Sequence, residues 1–277
     1  MRILLLGARG FIGRKLAARL TGAGHQLLTP SHAELDLARP DRVWAAWLDG
    51  TEAVANLAGA FRQGRSGGLE AVHHHGPLRL AGLAKKYGVR RWVQLSALSA
   101  APDAATLFLA SKGRGDAALL DGGLDAAVAR PSLVYGADGA SSRLLMRLAR
   151  LPLWFLPDGG RQLIQPVAAA DVAEGLHRLI EGRIRGAVDF VGGEEATLAD
   201  YLRRLRSLQG LGSIERVQAL PGWLADGLAS CCGRVPGSLL DRDSLRMLRQ
   251  GSTADPAAFA ALLGRSPLSF RQFGEVV

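Results

Sequence analysis

Two alternating grammars of apolar and polar positions run through the first half of the chain. Residues 3–6, 53–57, 91–95 and 126–130 are short runs dominated by apolar side chains. Continuous runs of this kind predict strands buried on both faces of a sheet. Between them apolar residues recur at helical spacing, beginning with Phe11, Ile12, Leu16 and Leu20. The same spacing predicts helices over 43–48, over 69–87 up to Gly88, and over 108–120 up to Gly122 and Gly123. A further short strand is expected at 26–29. Strands joined through helices imply right-handed crossovers. The expected class is α/β, a doubly wound parallel sheet with helices on both faces.

The pattern changes after Pro131. A basic helix is expected over 141–150, then a proline-bounded stretch over 152–157 carrying Trp154 and Phe155. Residues 171–181 read as a helix with Asp171 as its N-cap, and 187–191 return to a strand pattern. Residues 198–208 are amphipathic, with Thr197 and Asp200 placed to cap the start. Residues 210–277 read as mostly helical, with loops at Pro221, 233–237 and 251–255. Two domains follow: residues 1–136 with 164–193, and a small, mostly helical C-terminal lobe of 137–163 with 194–277.

Chemistry enters first at Gly7-Ala8-Arg9-Gly10-Phe11-Ile12-Gly13, which lies between the first strand and the first helix. Gly7 permits a tight turn, Gly10 lets the backbone approach a pyrophosphate, and Gly13 lets helix pack on strand. Phe11 and Ile12 begin the helix whose N–H groups and dipole favour an anion. Strand, glycine turn and helix in this order make the sheet Rossmann-like and its ligand a dinucleotide.

Further segments carry a resemblance. These are Asn56-Leu57-Ala58-Gly59-Ala60, Leu35-Asp36-Leu37, Arg130-Pro131-Ser132-Leu133-Val134-Tyr135-Gly136, Gln165-Pro166-Val167 with Asp171-Val172-Ala173, and Phe190-Val191-Gly192-Gly193. Together with the glycine turn they resemble the atypical and extended short-chain dehydrogenase/reductase superfamily, the epimerase/dehydratase-like group. The branch most similar is that of the NAD(P)-binding accessory subunit of respiratory complex I. The resemblance covers about residues 1–208 and only loosely the remainder. It implies that Leu57, Ala58 and Gly59 lie beside the cofactor's adenine side, that the Asp36 carboxylate with Leu37 meets the adenine, and that Pro131 lines the cofactor.

The resemblance also implies a catalytic Tyr-x-x-x-Lys pair and a strand-end serine. The matching helix reads Phe108-Leu109-Ala110-Ser111-Lys112. Lys112 stands four residues on from Phe108, on the same helical face, and is expected to bind the nicotinamide ribose. Ser96 is expected as the catalytic serine, with Ser99 as the fallback hydroxyl. Phenylalanine cannot titrate, so the usual acid/base group is missing; Tyr135, or a histidine at His73 or His75, is the alternative proton donor. The second strand ends Thr29-Pro30-Ser31-His32 with no carboxylate at its tip. Arg9 with Ser31 can hold a ribose 2′-phosphate, so NADP(H) is favoured over NAD(H).

Composition trims the remaining options. The 277 residues, 48% hydrophobic, are enough for a sizeable core, and no apolar run reaches the ~20 residues of a membrane span. The net charge is +9, but of 34 basic residues only Lys15, Lys85, Lys86 and Lys112 are lysines, and the arginines are scattered beside acids. That scatter predicts a solvated surface and no nucleic-acid partner. His73-His74-His75 on a regular helix point about 100° apart, so no metal site is expected. The adjacent Cys231 and Cys232 suit a reducing compartment, and the expected location is the cytoplasm. Three functions compete: a cofactor-bound component with little or no standard turnover, an oxidoreductase or epimerase using another proton donor, and a redox-reading regulator. A protein partner or a small-molecule substrate at the small lobe is open.

Overall fold

A computed structural model describes residues 1–39, 43–61, 68–214, 216–233 and 241–274. The chain divides into two compact units. The first comprises Met1–Pro131, Ala169–Phe190 and Ala258–Arg265, the second Ser132–Ala168, Val191–Ala257 and Ser266–Val277.

The first unit opens with β1 (Arg2–Leu6), α1 (Phe11–Gly22), β2 (Gln26–Leu28), α2 (Trp44–Leu48) and β3 (Ala53–Asn56). α3 (Gly68–Glu70) runs into a π-helical turn at Ala71–His75 and then α4 (Gly76–Lys86). β4 (Arg91–Leu95), α5 (Leu107–Asp121) and β5 (Ala126–Pro131) follow. The second unit then contributes β6 (Val134–Tyr135), α6 (Ala140–Arg150), β7 (Trp154–Pro157), β8 (Leu163–Ile164) and β9 (Val167–Ala168). The chain returns to the first unit for α7 (Ala169–Glu181) and β10 (Gly186–Phe190). β11 (Ala196–Thr197), α8 (Leu198–Ser207), β12 (Val217–Leu220), α9 (Gly222–Gly233) and α10 (Arg242–Gln250) belong to the second unit, and α11 (Ala257–Leu263) packs with the first.

Six strands form the sheet of the first unit, in the order β2-β1-β3-β4-β5-β10 and parallel throughout. Ile3, Leu4, Leu5, Ala53, Val54 and Ala55 are fully buried, as strands covered on both faces must be. The order reverses between β1 and β3, and at such a switch point the carboxyl ends of the strands leave a crevice. In the second unit β8 pairs with β11, β6 with β9, and β7 with β12. Trp154 is fully buried in its core while Phe155 is exposed, so only the first of this aromatic pair anchors the unit.

Four expectations are corrected. The helix expected over 69–87 is interrupted by the π turn, which turns the His73 ring into the core. Asp171 does not cap α7, which starts two residues earlier; its buried carboxylate instead accepts from Arg265 at 2.7 Å. Arg265 and Phe259, which stacks on Phe190 at 4.1 Å, draw Ala258–Arg265 out of the small lobe and into the first unit. β12 is a strand within the tail that reads as helical, because β7 offers it an edge to pair with. Thr197 does cap α8, accepting the Asp200 N–H at 3.1 Å. Most of the loop expected over 233–237 lies outside the described residues.

Arg91 at the start of β4 ties the sheet to α7. Its buried guanidinium donates to the Leu179 carbonyl in the last turn of α7, to the Ile184 carbonyl just beyond it and to Asp125, satisfying carbonyls of the kind a helix end leaves without an intrahelical donor. Truncating one member of a buried charged cluster typically costs about 3–5 kcal/mol. Arg91→Met is expected to lower the unfolding free energy by about that much, measured by urea denaturation. A change below about 1 kcal/mol would show that the clamp is dispensable.

Candidate functional site

The site is built outward from the glycine turn. Gly7 has φ +76°, and a Cβ there would lie 2.7 Å from the Leu57 carbonyl and 2.9 Å from the Ala58 nitrogen. A Cβ on Gly13 would lie 2.1 Å from the Gly7 oxygen. Both glycines are demanded by packing. Gly10 is different: its φ is −71°, and a Cβ would meet only the Gly7 oxygen, at 3.1 Å. Gly10 is the N-cap of α1 and has no side chain to bond the first-turn N–H groups. Those groups and the positive end of the helix dipole, with Phe11 and Ile12 in that first turn, make a place for an anion. Arg9 is exposed at the turn, and Arg14 donates to its carbonyl at 2.8 Å.

The wall of the crevice is the end of β3. Asn56, fully buried, donates to Gln94 at 3.0 Å and accepts the Ala58 N–H at 3.1 Å. Trp92 donates to the same Gln94 oxygen at 3.2 Å. This network fixes the path of Leu57, Ala58 and Gly59. A Cβ on Gly59 would stand 3.5 Å from His73 Nε2 and 3.9 Å from Lys112 Nζ, so the glycine opens onto the second half of the site.

That half is carried by α5. Phe108 stacks on Phe61 at 5.4 Å, meets the His73 ring edge-on at 5.5 Å, and lies 5.5 Å from Lys112 Nζ. Lys112 is buried and donates to the Leu95 carbonyl at 3.1 Å. Burial lowers its pKa to about 8, with Asp116, one turn on, opposing the shift. Asp116 is itself pushed up by burial, against the pull of its hydrogen bonds from Ser96 and Arg130.

The hydroxyl of Ser96, expected as the catalytic serine, donates to Asp116 at 2.8 Å, and Arg130 reaches the same carboxylate oxygen at 3.0 Å. Ser99 is exposed and holds a left-handed backbone, φ 63°, a strained conformation for a side chain-bearing residue. Pro131 closes β5, its carbonyl accepting the Leu98 N–H at 2.9 Å. Asp36 accepts the Ala38 N–H at 2.9 Å, and Leu37 is buried against Gly76, where a Cβ would come 2.2 Å from the Leu37 oxygen. Tyr135 belongs to the second unit and stacks on Phe273 at 4.3 Å.

His73 is held in its neutral form by its surroundings. Its Nε2 accepts the Ala60 N–H at 3.1 Å, leaving Nδ1 to donate to Ser111 Oγ at 2.9 Å, which donates on to the Phe108 carbonyl at 3.0 Å. Burial, and secondarily the Lys112 charge, hold its pKa down to about 3. His75 is exposed and packs against His74 at 4.5 Å. The π turn brings a nitrogen of each of those two rings within 4.8 Å of a Glu70 oxygen, closer than a regular helix suggests. Glu70 is, however, neutralised by Arg114.

The tip of the second strand departs from expectation too. Glu34 folds back so that its carboxylate accepts the Ser31 N–H at 2.7 Å. Hydrogen bonds from Ser31 hold the Glu34 pKa low, with Arg9 adding a smaller pull. An acid absent from the strand tip in sequence is thus supplied by the turn that follows.

Residues 3–188 match the model of the NAD dependent epimerase/dehydratase family. The chain belongs to that family. Among curated relatives of this epimerase/dehydratase chain, the mitochondrial NADH dehydrogenase (ubiquinone) 1 alpha subcomplex subunit 9 of Arabidopsis thaliana is 28% identical over 193 residues, 61% of this chain and 47% of its own. The mitochondrial NADH-ubiquinone oxidoreductase 40 kDa subunit of Neurospora crassa is 25% identical over 195 residues, 64% and 51% of the two chains. The chain spans about half the length of such relatives. Among solved structures, a human epimerase family protein with NADPH superposes with TM-score 0.72 at 18% identity, covering all of both chains. The UDP-glucuronic acid 4-epimerase of Bacillus cereus, solved with UDP-glucuronic acid and NAD, gives 0.71 at 19% identity, covering 99% of this chain and 97% of that one. At such identities these structures speak for the Rossmann-like epimerase fold alone.

The state of His73 has a measurable consequence in this epimerase/dehydratase chain. Unfolded, a histidine titrates near 6.5; folded, His73 is held to about 3. Between those values the unfolded chain binds a proton that the fold refuses. The stability His73 contributes is therefore complete above about 6.5 and is lost as pH falls, by up to about 1.4 kcal/mol per pH unit. In His73→Gln, whose amide can accept from Ala60 and donate to Ser111, the fall in unfolding free energy between about pH 6 and 4 is expected to be shallower by that amount. Equal slopes in parent and variant would place the proton elsewhere.

Proposed function

We propose that the protein is a dinucleotide-binding component, holding NAD(P)(H) at the Gly7–Gly13 turn with little or no turnover of the tyrosine-dependent kind. The observation that carries this is the contrast between the two halves of the site. Gly10 keeps clear a space that packing does not require, at the N-terminus of a helix without a capping side chain. On α5 the position that the resemblance gives to tyrosine is Phe108, enclosed by Phe61, His73 and Lys112. None of these three groups offers an acidic hydroxyl. The residues present suit the cofactor: the first turn of α1 for the pyrophosphate, Leu57, Ala58 and Gly59 beside the adenine half, and Lys112 for the nicotinamide ribose. When bound, the nicotinamide would supply a hydride-accepting or hydride-donating ring.

The proposal favours NADP(H), because Arg9 is exposed beside the turn and guanidinium pairs well with phosphate. Glu34 is the opposing charge. A component role is supported by the relatives whose names make them subunits of an NADH dehydrogenase, with the second unit as the place for a protein partner or small molecule. The two free cysteines suit a reducing compartment, and the proposed location is the cytoplasm.

One observation favours a second reading, in which the protein is an oxidoreductase or epimerase using another acid. Lys112, with a pKa of about 8, can exchange a proton near neutrality.

Fluorescence titration tests the binding. Gly10→Val should abolish binding of NADPH and NADH alike with the circular dichroism spectrum retained. Arg9→Ala should weaken NADPH much more than NADH, and Glu34→Gln should strengthen NADPH. Unchanged affinity in Gly10→Val, or an NADH preference in the parent, would overturn the assignment.

Catalysis is tested at Phe108. The parent should transfer no hydride to simple carbonyls above background, while Phe108→Tyr restores a phenol beside Lys112. A positioned acid contributes ~10²–10⁴-fold, so a gain of that order in carbonyl reduction is expected, with a pH dependence absent from the parent. Robust turnover by the parent, falling as pH rises through about 8, would select the Lys112 reading.

A further inference from the structure

At the other end of the same sheet, three metal-ligating side chains converge where the dinucleotide proposal has no use for them. The glycine turn follows the carboxyl end of β1, whereas His25 immediately precedes the amino end of its parallel neighbour β2. His177 and Glu181 lie one helical turn apart on α7, which packs on α1 in the same unit. Glu181 Oε1 is 3.0 Å from His25 Nε2, and Glu181 Oε2 is 3.2 Å from His177 Nε2. One donor atom from each residue falls within a 4.8 Å circle. We propose that His25, His177 and Glu181 form a binding site for a divalent transition-metal ion, with Zn²⁺ the best fit.

Two imidazole nitrogens with one carboxylate oxygen are the donor set of zinc; calcium and magnesium take oxygen. Tetrahedral coordination at ~2.0–2.1 Å requires donors roughly 3.3 Å apart, and the three donor atoms, within 4.8 Å of one another, need only a small inward adjustment. The carboxylate alone does not satisfy both rings. It accepts a hydrogen bond from His25, but His177 Nε2 is buried and makes no hydrogen bond despite its distance from Glu181. A bound cation would give that nitrogen a partner. The Glu181 side chain is 47% exposed, leaving an entry path and room for water as the fourth ligand. His25 Nδ1 lies 3.2 Å from the Met1 amine. The rival cluster of Glu70, His74 and His75 is weaker, because the Arg114 guanidinium already occupies its carboxylate.

Filled, the site would fasten the turn before β2, an edge strand, to the end of α7. The test is titration of the full-length chain, stripped with a chelator, with Zn²⁺ by calorimetry, and with Co²⁺ by visible absorption. The expected result is one Zn²⁺ per chain in the low-micromolar range or tighter, a tetrahedral Co²⁺ spectrum, and a melting temperature that rises with Zn²⁺ and saturates. Glu181→Gln, at an exposed position, and His177→Asn should each weaken Zn²⁺ roughly tenfold or more, and His74→Gln should leave it unchanged. The proposal is overturned if the parent shows no saturable binding in that range. It is overturned equally if affinity survives in the His25→Asn/His177→Asn double variant, or falls in His74→Gln instead.

Discussion

The first unit turns on the contact of the Gly7 backbone with the peptide between Leu57 and Ala58. A Cβ at Gly7 would sit 2.7 Å from that carbonyl, so β1 and β3 leave the sheet together at a separation no other residue allows. Gly13 repeats the condition one turn later, against Gly7 itself. The start of α1 is thereby pressed onto the switch point of the sheet, and its unpaired N–H groups face the crevice. The β3 side is held as tightly, through Asn56, Gln94 and Trp92. The contacts that set this cradle are between backbone atoms and uncharged side chains, with Arg14 bracing the turn at the Arg9 carbonyl.

The α5 side obeys different physics. Gly113 and Gly115 bring the helix against Ala101 and the His73 carbonyl, positions where a Cβ would lie at 2.1 and 2.0 Å. That approach buries Lys112 and Asp116 together, one turn apart, with Arg130 and Ser96 completing the set. Burial opposes charge on each, and mutual attraction offsets only part of that opposition. A charge in such a cluster is stable only while its partners stay, and the Ser96 hydroxyl spends its one proton on Asp116. His73, uncharged and bonded at both nitrogens, is the neutral spacer between this cluster and Gly59.

Much of the first unit was legible in the sequence because its signals are local. Apolar runs make buried strands, glycines punctuate them, and the Gly7–Gly13 spacing declares a turn before a helix. The partners that set the site were not legible, since they are brought together by topology. The pairing of Ser96 with Asp116 spans twenty residues and that of Arg91 with Leu179 eighty-eight. Thirty scattered arginines gave no sign that Arg91, at the start of β4, is buried. Asp116, four residues after Lys112 on the same helical face, was the one partner that spacing could have revealed. The π turn was hidden for another reason: His73-His74-His75 fits a regular helix equally well, and only packing against Gly115 chooses the wider winding.

The division between a backbone-made cradle and a side-chain-made acid explains how binding and chemistry can part. A phosphate held by N–H groups at a helix start depends on chain path, and chain path here is fixed by packing that any change at Phe108 leaves alone. A proton donor depends on one hydroxyl near one positive charge. With phenylalanine at that place the ring still fills its volume between Phe61 and His73, so the packing around Lys112 keeps its shape. Fold stability therefore exerts no pressure to have a tyrosine there. A tyrosine would instead bring a polar oxygen into a crowded apolar contact and require a partner for it. The fold is thus at least as well served by phenylalanine, and only turnover would favour the hydroxyl.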